Sequence, residues 1–248
     1  ERIIMAISIS NAGTQQLLMP NIPLPTNTQA FTLMCYATPR AGGGFSNTPA
    51  FICSQADGNG TSNTDFAFTI ASFGRLGARL NIAGTTTEIN TGYLNFSNGT
   101  RYHLCLTYNG STVTFYRNGA SVGTASRTGA VVSTAARKFC ISGFTTSTSS
   151  YKFYGDAEDV RIYNKAMSTK EIDLILSANG RDGLYDNLIA WYPLNEMPVN
   201  GTIATTVNNS VKDRGPNKLD GKTNGASPTW TQWLVNNIKS KLLYKKGQ

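Results

Sequence analysis

The sequence predicts an all-β protein: a two-sheet antiparallel jelly-roll β-sandwich with one short helix and a C-terminal extension. Three observations point there. From residue 31 onward, apolar runs of strand length recur between Gly, Asn and Ser punctuation. Two Asn-Gly pairs, Asn109-Gly110 and Asn118-Gly119, bracket TVTFYR at hairpin spacing. A single helical pattern interrupts the strands, and many short strands with one helix close most readily as two stacked sheets with Greek-key or jelly-roll connections.

The strand runs are FTLMCYA, AFICS, FAFTIAS, ARLNIA, YHLCLTY, TVTFYR, KFCISG and AEDVRIY. Asn-Gly supplies the positive φ angles of a type I′ turn, so the two pairs predict three consecutive antiparallel strands. In YHLCLTY, Tyr102, Leu104, Leu106 and Tyr108 share one face, and His103, Cys105 and Thr107 the other, as a strand buried on at least one side requires. The helix is marked by a Ser168/Glu171 capping box, an apolar stripe of Ile172, Ile175 and Leu176, and an Asn179-Gly180 stop. Its expected seat is a sandwich edge.

Residues 181–248 change character, from LIAWYPLNE through an Asn- and Gly-rich stretch to a basic, amphipathic end. Trp230, Leu234, Ile238 and Leu242 have roughly helical spacing and read as a terminal helix or strand packed on the body, in preference to a membrane-surface helix. The domain reading is thus a sandwich over residues 5–180 and a segment, 181–248, that docks on it or on a partner, including a second copy of the chain.

The chain has 248 residues and 40% hydrophobic content, enough for one large core. Its net charge of +8 is concentrated at the end, where Lys239, Lys241, Lys245 and Lys246 lie. No nucleic-acid motif accompanies that charge, which argues against sequence-specific nucleic-acid binding. Cys35, Cys53, Cys105 and Cys140 form no C-x-x-C pair and read as buried small hydrophobes, with one or two disulfides left open. No transmembrane-length apolar run or secretory h-region is visible, so synthesis in the cytosol without a signal peptide is expected. Glu1-Arg2-Ile3-Ile4 precedes Met5, which reads as a trimmed chain or as a natural start at Met5.

Catalysis is not expected. Glycoside hydrolysis needs two carboxylates flanking one bond, and no Glu-x-Asp-x-x-Glu run exists. Glu158 and Asp159 are adjacent, and adjacent strand residues point to opposite faces. A hydrolase would need Glu88, Glu158 or Glu171 to face another acid across a cleft. His103 is the only histidine, which excludes sites needing two, and it reads as a hydrogen-bonded sheet histidine.

Two binding sets remain. The loop QADGNGTSNTDF offers Asp57, Asn59, Asn63 and Asp65, hard oxygen donors of the kind calcium prefers. Asp213 and Asp220, in DRGPNKLDG, read as turn residues. Sugar binding needs amphipathic rings beside polar groups, and Phe45, Phe73, Arg75, Tyr93, Tyr151 and Tyr154 flank expected loops.

RYHLCLTYNGSTVTFYRNGASVG resembles the central hairpins of laminin-G-like and concanavalin A-like lectin domains. FYGDAEDVRIYNKAMSTKEI is similar to that family's final strand and capped helix, the more specific of the two matches. With FTLMCYATPR as an early core strand, the resemblance covers about residues 6–180. WYPLNE…VKDRGPNKLDGKTNGASPTW resembles a segment common at the start of such domains, which implies a permuted strand order, a truncated second module or an exchange strand. The resemblance implies a non-catalytic, carbohydrate-binding or adhesive module, with rim-loop calcium as in many relatives. Glycans, or a capsid or appendage lattice, are the implied partners. Display on a virion surface is the expected location, with an extracellular one as the alternative and a purely structural capsid decoration role as the alternative function.

Overall fold

A computed structural model describes residues 3–9, 16–24, 30–40, 49–58, 63–71, 74–134, 136–146, 151–178, 182–195, 211–224 and 229–234. Its strands are β1 (Ile3–Ile9), β2 (Gln16–Met19), β3 (Phe31–Pro39), β4 (Ala50–Ala56), β5 (Thr64–Ala71), β6 (Arg75–Ile82), β7 (Thr85–Asn90) and β8 (Tyr102–Tyr108). Then come β9 (Thr112–Arg117), β10 (Ala120–Ser126), β11 (Phe139–Ile141), β12 (Gly155–Tyr163), the helix α1 (Thr169–Ala178), β13 (Leu188–Tyr192), β14 (Lys222–Asn224) and β15 (Thr229–Leu234).

They form two antiparallel sheets stacked as a sandwich. The larger runs β10-β9-β8-β3-β12-β1-β15, with β13 also paired to β12. The smaller runs β14-β2-β11-β4-β5-β6-β7. The alternation in β8 is realised: Tyr102, Leu104, Leu106 and Tyr108 join the core between the sheets, and Cys105 joins a second cluster on the outer face. A chain of rings crosses the core, from Tyr108 through Phe31, Phe66 and Phe139 to Tyr192, with neighbouring centroids about 6 Å apart. Each contact adds roughly 1 kcal/mol beyond the area it buries.

The β8-β9-β10 hairpins form as expected, although only one turn is type I′. Asn118 and Gly119 both have positive φ, 53° and 84°. At the other turn only Gly110 does, and the Asn109 side chain accepts the amide hydrogens of Ser111 and Thr112 in a three-residue loop. Helix α1 begins at the capping box: the Ser168 amide donates to Glu171, and the Glu171 amide donates to the Ser168 hydroxyl at 3.4 Å. Its seat is the outer face of the large sheet, not an edge. Ile172 and Ile175 pack there against Met34, Cys105, Tyr116 and Tyr163.

All four cysteines are free and buried. After the helix, β13 pairs with β12, β14 with β2 and β15 with β1. Trp230 and Leu234 are therefore strand residues, opposite Ile7 and Ile3. Asn179-Gly180, Ile238, Leu242 and the terminal lysines lie outside the described residues. Among those described, no helix is long and apolar enough to cross a membrane.

Strand β12 enters the large sheet through Gly155, whose φ is 151° and whose substitution by a larger residue would set a Cβ 2.2 Å from the Thr38 carbonyl oxygen. Gly155→Ala is expected to cost about 3 kcal/mol, read from the urea unfolding midpoint; an unchanged midpoint would contradict this packing. Ser168→Ala should cost about 1 kcal/mol in the same assay.

Candidate functional site

The outer face of the small sheet is polar at its β6–β7 corner. Leu76, Ala78 and Leu80 turn into the core, so Arg75 and Arg79 point outward, about 13 Å apart along the strand. Glu88 lies opposite Arg79 in register and Asn90 opposite Gly77. Arg79 donates to Glu88 through Nε at 3.1 Å and Nη2 at 2.7 Å, and Asn90 donates to the other Glu88 oxygen at 3.1 Å. The row Arg79–Glu88–Asn90 is thus a fixed hydrogen-bonding ladder on a sheet edge.

Tyr93 lies on the loop that leaves β7, three residues beyond Asn90, at the Arg75 end of β6. Its loop is pinned on both sides, by the Thr91 amide to Leu76 and the Leu94 amide to Gly74. The Arg75 guanidinium lies 4.3 Å from the ring centroid, and the ring remains 60% exposed. An exposed ring held by the Arg75 guanidinium, on the loop that follows Asn90, offers a flat apolar surface for a sugar's C–H face, with the Arg79–Glu88–Asn90 ladder along the adjoining strands as a source of directional partners.

Of the six ligand-binding residues expected from sequence, the structure brings Arg75 and Tyr93 together. Tyr151 packs with Phe51 and Phe144 on the same outer face, where the Phe51 ring lies 5.1 Å from the Arg79 guanidinium, and among the described residues no contact joins it to Arg75 or Tyr93. Tyr154 is buried at 6% exposure, which removes it as a sugar platform. Phe45 and Phe73 lie outside the described residues. Arg79, Glu88 and Asn90 share the outer face of this corner and were not among the expected ligand-binding residues, Glu88 being named only as a possible hydrolase acid; the polar alternation of Glu88-x-Asn90 on an edge strand is the sign of that face in the sequence.

The two carboxylates of the calcium set, Asp57 and Asp65, face an arginine in this structure. Asp65 is wholly buried, and one of its oxygens accepts from Gln55 at 3.0 Å and from the Thr134 amide at 2.6 Å. Its other oxygen is paired with the Arg137 guanidinium, which also faces Asp57 at 3.6 Å. A bound cation would have to displace that arginine. Asn63 is exposed and Asn59 lies outside the described residues. Among the described residues no group of three or more acidic, His or Cys side chains could hold a metal. Asp213 serves a turn, as expected, accepting the amide hydrogens of Trp191, Gly215 and Leu219.

Strand β12 carries the protein's densest set of acids, and its geometry differs from the sequence expectation. Asp159 has φ 51°, and the pairing with β3 shifts between Glu158 and Arg161. This bulge lets both neighbouring acids engage groups on the outer face: Glu158 binds Arg101 through both oxygens, at 2.6 and 2.9 Å, and Asp159 binds Arg161 and the Trp191 indole. Burial, opposed by Arg101, keeps the Glu158 carboxyl above its ordinary range. Glu158 is enclosed by its arginine, and Arg101 in turn lies 3.5 Å from the Tyr36 ring centroid. The outcome is a set of neutralised pairs, without an acid–base pair open to a substrate among the described residues.

His103 is not a hydrogen-bonded histidine. It is 2% exposed, stands edge-on to Tyr36 at 5.0 Å, and neither ring nitrogen has a partner. Burial first, then the Arg101 and Arg161 charges, pushes the imidazole down to about 4. Folded, it binds a proton less readily than the unfolded chain does near 6.5. Its contribution is thus complete above about 6.5 and lost as pH falls towards 4, a loss of about 3 kcal/mol. Thermal melts across that window should show a steeper decline for the native chain than for His103→Phe; equal declines would contradict the assignment.

The comparisons with known proteins agree with this sandwich. The family model described as Concanavalin A-like lectin/glucanases superfamily, of the laminin-G type, matches residues 11–173, and the chain belongs to that family. A comparison with curated proteins gives no match. Among solved structures, the chain is similar to a putative carbohydrate binding protein from Bacteroides ovatus, at TM-score 0.66 and 17% identity, over 93% of this chain and 60% of that one. It thus spans less than two thirds of that relative's length. It is also similar to the CBM40 module of Ruminococcus gnavus IT-sialidase, solved with α2,3-sialyllactose, at TM-score 0.51 and 16% identity over 71% and 98% of the two chains. A third is tailspike protein 2 of an Escherichia coli O157:H7 bacteriophage, at TM-score 0.51 and 14% identity over 76% and 26%. These likenesses establish the fold.

Proposed function

We propose that the protein is a non-catalytic carbohydrate-binding module whose ligand sits on Tyr93 at the β6–β7 corner. The observation that carries the reading is the exposed, backbone-pinned Tyr93 ring held 4.3 Å from the guanidinium of Arg75, whose strand also bears Arg79 of the Arg79–Glu88–Asn90 ladder. Family membership and the carbohydrate-binding function named for the Bacteroides and Ruminococcus structures support it. Display on a virion or comparable assembly, after synthesis in the cytosol, belongs to the same proposal. The tailspike likeness supports it, as do four free buried thiols, which require no oxidising compartment. A glycan or a capsid or appendage lattice is then the partner.

A glycan array probed with the purified protein tests the binding claim. Selective binding that survives moderate salt is expected, as stacking and hydrogen bonding are less screened than exposed charge. Tyr93→Ala should weaken it about tenfold or more, and Asn90→Ala to a lesser degree. EDTA should leave the signal unchanged, because Asp65 is committed to Arg137. A silent array would transfer the case to a purely structural decoration role, and a Tyr93→Ala variant that binds as the native chain does would contradict the β6–β7 corner as the ligand's seat.

A further inference from the structure

A second exposed ring, Tyr185, stands on the opposite side of the sandwich against the half-buried Trp191. Trp191 lies opposite Arg161 in the β12–β13 pairing and packs with the outer-face cluster of the large sheet. Its indole is fixed from two directions. The ring nitrogen donates to Asp159 at 2.6 Å, and the Arg161 guanidinium lies 4.7 Å from the ring centroid. Arg161 is itself locked, with Asp159 on one side and both oxygens of Asp182 on the other, each at 2.9 Å.

Tyr185 leans against this indole, with centroids 6.1 Å apart and planes tilted by 53°, yet it is 58% exposed. The loop bearing it is rigid: the Leu184 amide donates to Asp182, the Tyr185 amide to Gly183 and the Leu188 amide to Tyr185. An apolar ring held in water by so much local structure gains little from its own protein.

Around the rings stand exposed polar groups. Asp186 has a side chain 81% exposed; Lys165, at 3.3 Å, and the Asn187 side-chain amide both donate to its Oδ2, which leaves Oδ1 turned to solvent. Arg214 is exposed, and its backbone amide donates to the Trp191 carbonyl at 2.7 Å. Gly215 brings that loop so close that a Cβ there would meet the Trp191 backbone nitrogen at 3.0 Å. One exposed ring on a half-buried indole, with Asp186, Asn187 and Arg214 next to them along the chain and the backbone, is a small surface beside the roughly 800 Å² per partner of a stable protein interface. It matches the footprint of one sugar residue.

We infer that Tyr185 and Trp191 form a second pyranose-binding platform, with Asp186, Asn187 and Arg214 as hydroxyl partners. The two platforms lie on the outer faces of opposite sheets, so a single chain would engage two glycan strands at once and gain avidity on a dense glycan surface. This site shares no residue with the Tyr93 corner, and either can fail alone.

Fluorine NMR of protein labelled with 5-fluorotryptophan tests it, because the chain has three tryptophans and Trp191→Phe identifies the Trp191 signal. The probes are the methyl glycosides of glucose, galactose, mannose, N-acetylglucosamine and glucuronic acid. At least one should move the Trp191 signal saturably. Tyr185→Ala should weaken that response about tenfold, Tyr185→Trp should retain it, and Tyr93→Ala should leave it intact. Three results would each overturn the inference: a Trp191 signal unmoved by all five glycosides, an unchanged response in Tyr185→Ala, or its loss in Tyr93→Ala.

Discussion

The structure depends on how strand β12 shares its edges. One edge pairs with β3 along most of its length, from Gly155 to Tyr163. The other is divided: Gly155 to Ala157 pair with β1, and Val160 to Tyr163 with β13. The Asp159 bulge falls between the two partners, and its amide is satisfied by the Pro193 carbonyl. A bulge increases local twist and re-aims side chains, and here it lets an N-terminal and a C-terminal strand meet on one edge. Tyr192, carried in by β13, then stacks on Phe139 of the facing sheet at 17° between planes. The segment after the helix thereby helps to close the core between the sheets.

The same strand explains the concentration of buried charge. Asp156, Glu158 and Arg161 are all buried on it, and isolated charges there would cost several kcal/mol each. Each is matched: Asp156 with Arg40 at 2.9 Å, Glu158 with Arg101 and Arg161 with two aspartates. Such pairs are sensitive to the loss of one partner, which makes this face a specified and unforgiving surface. It is also a stiff one, and it is the support on which Trp191 is held.

The fold was legible because strand alternation and turn residues are local signals. β8, β9 and the Ser168/Glu171 cap follow from neighbouring residues alone. The Asn109 turn was misread because an Asn-Gly pair also serves a three-residue loop when the Asn side chain caps the amides beyond it. The Asp159 bulge was invisible for a different reason: strand alternation assumes an unbroken ladder, and pairing with β3, β1 and β13 at once is a tertiary fact. His103 and Asp65 show the same limit. Their residue types suggested a hydrogen-bonded ring and a cation ligand, whereas burial and distant arginines decide what each does. Tyr93 and Arg75 were legible as candidates, but their 4.3 Å stacking joins a loop to the start of another strand.

Two-dimensional NMR of the isotope-labelled chain, titrated with the strongest glycan from the array, tests the central claim most directly. If the β6–β7 corner holds the sugar, the first amides to shift will be those of residues 75–79 and 88–94. Shifts confined to the β8-β9-β10 hairpins, on the larger sheet, would contradict the account.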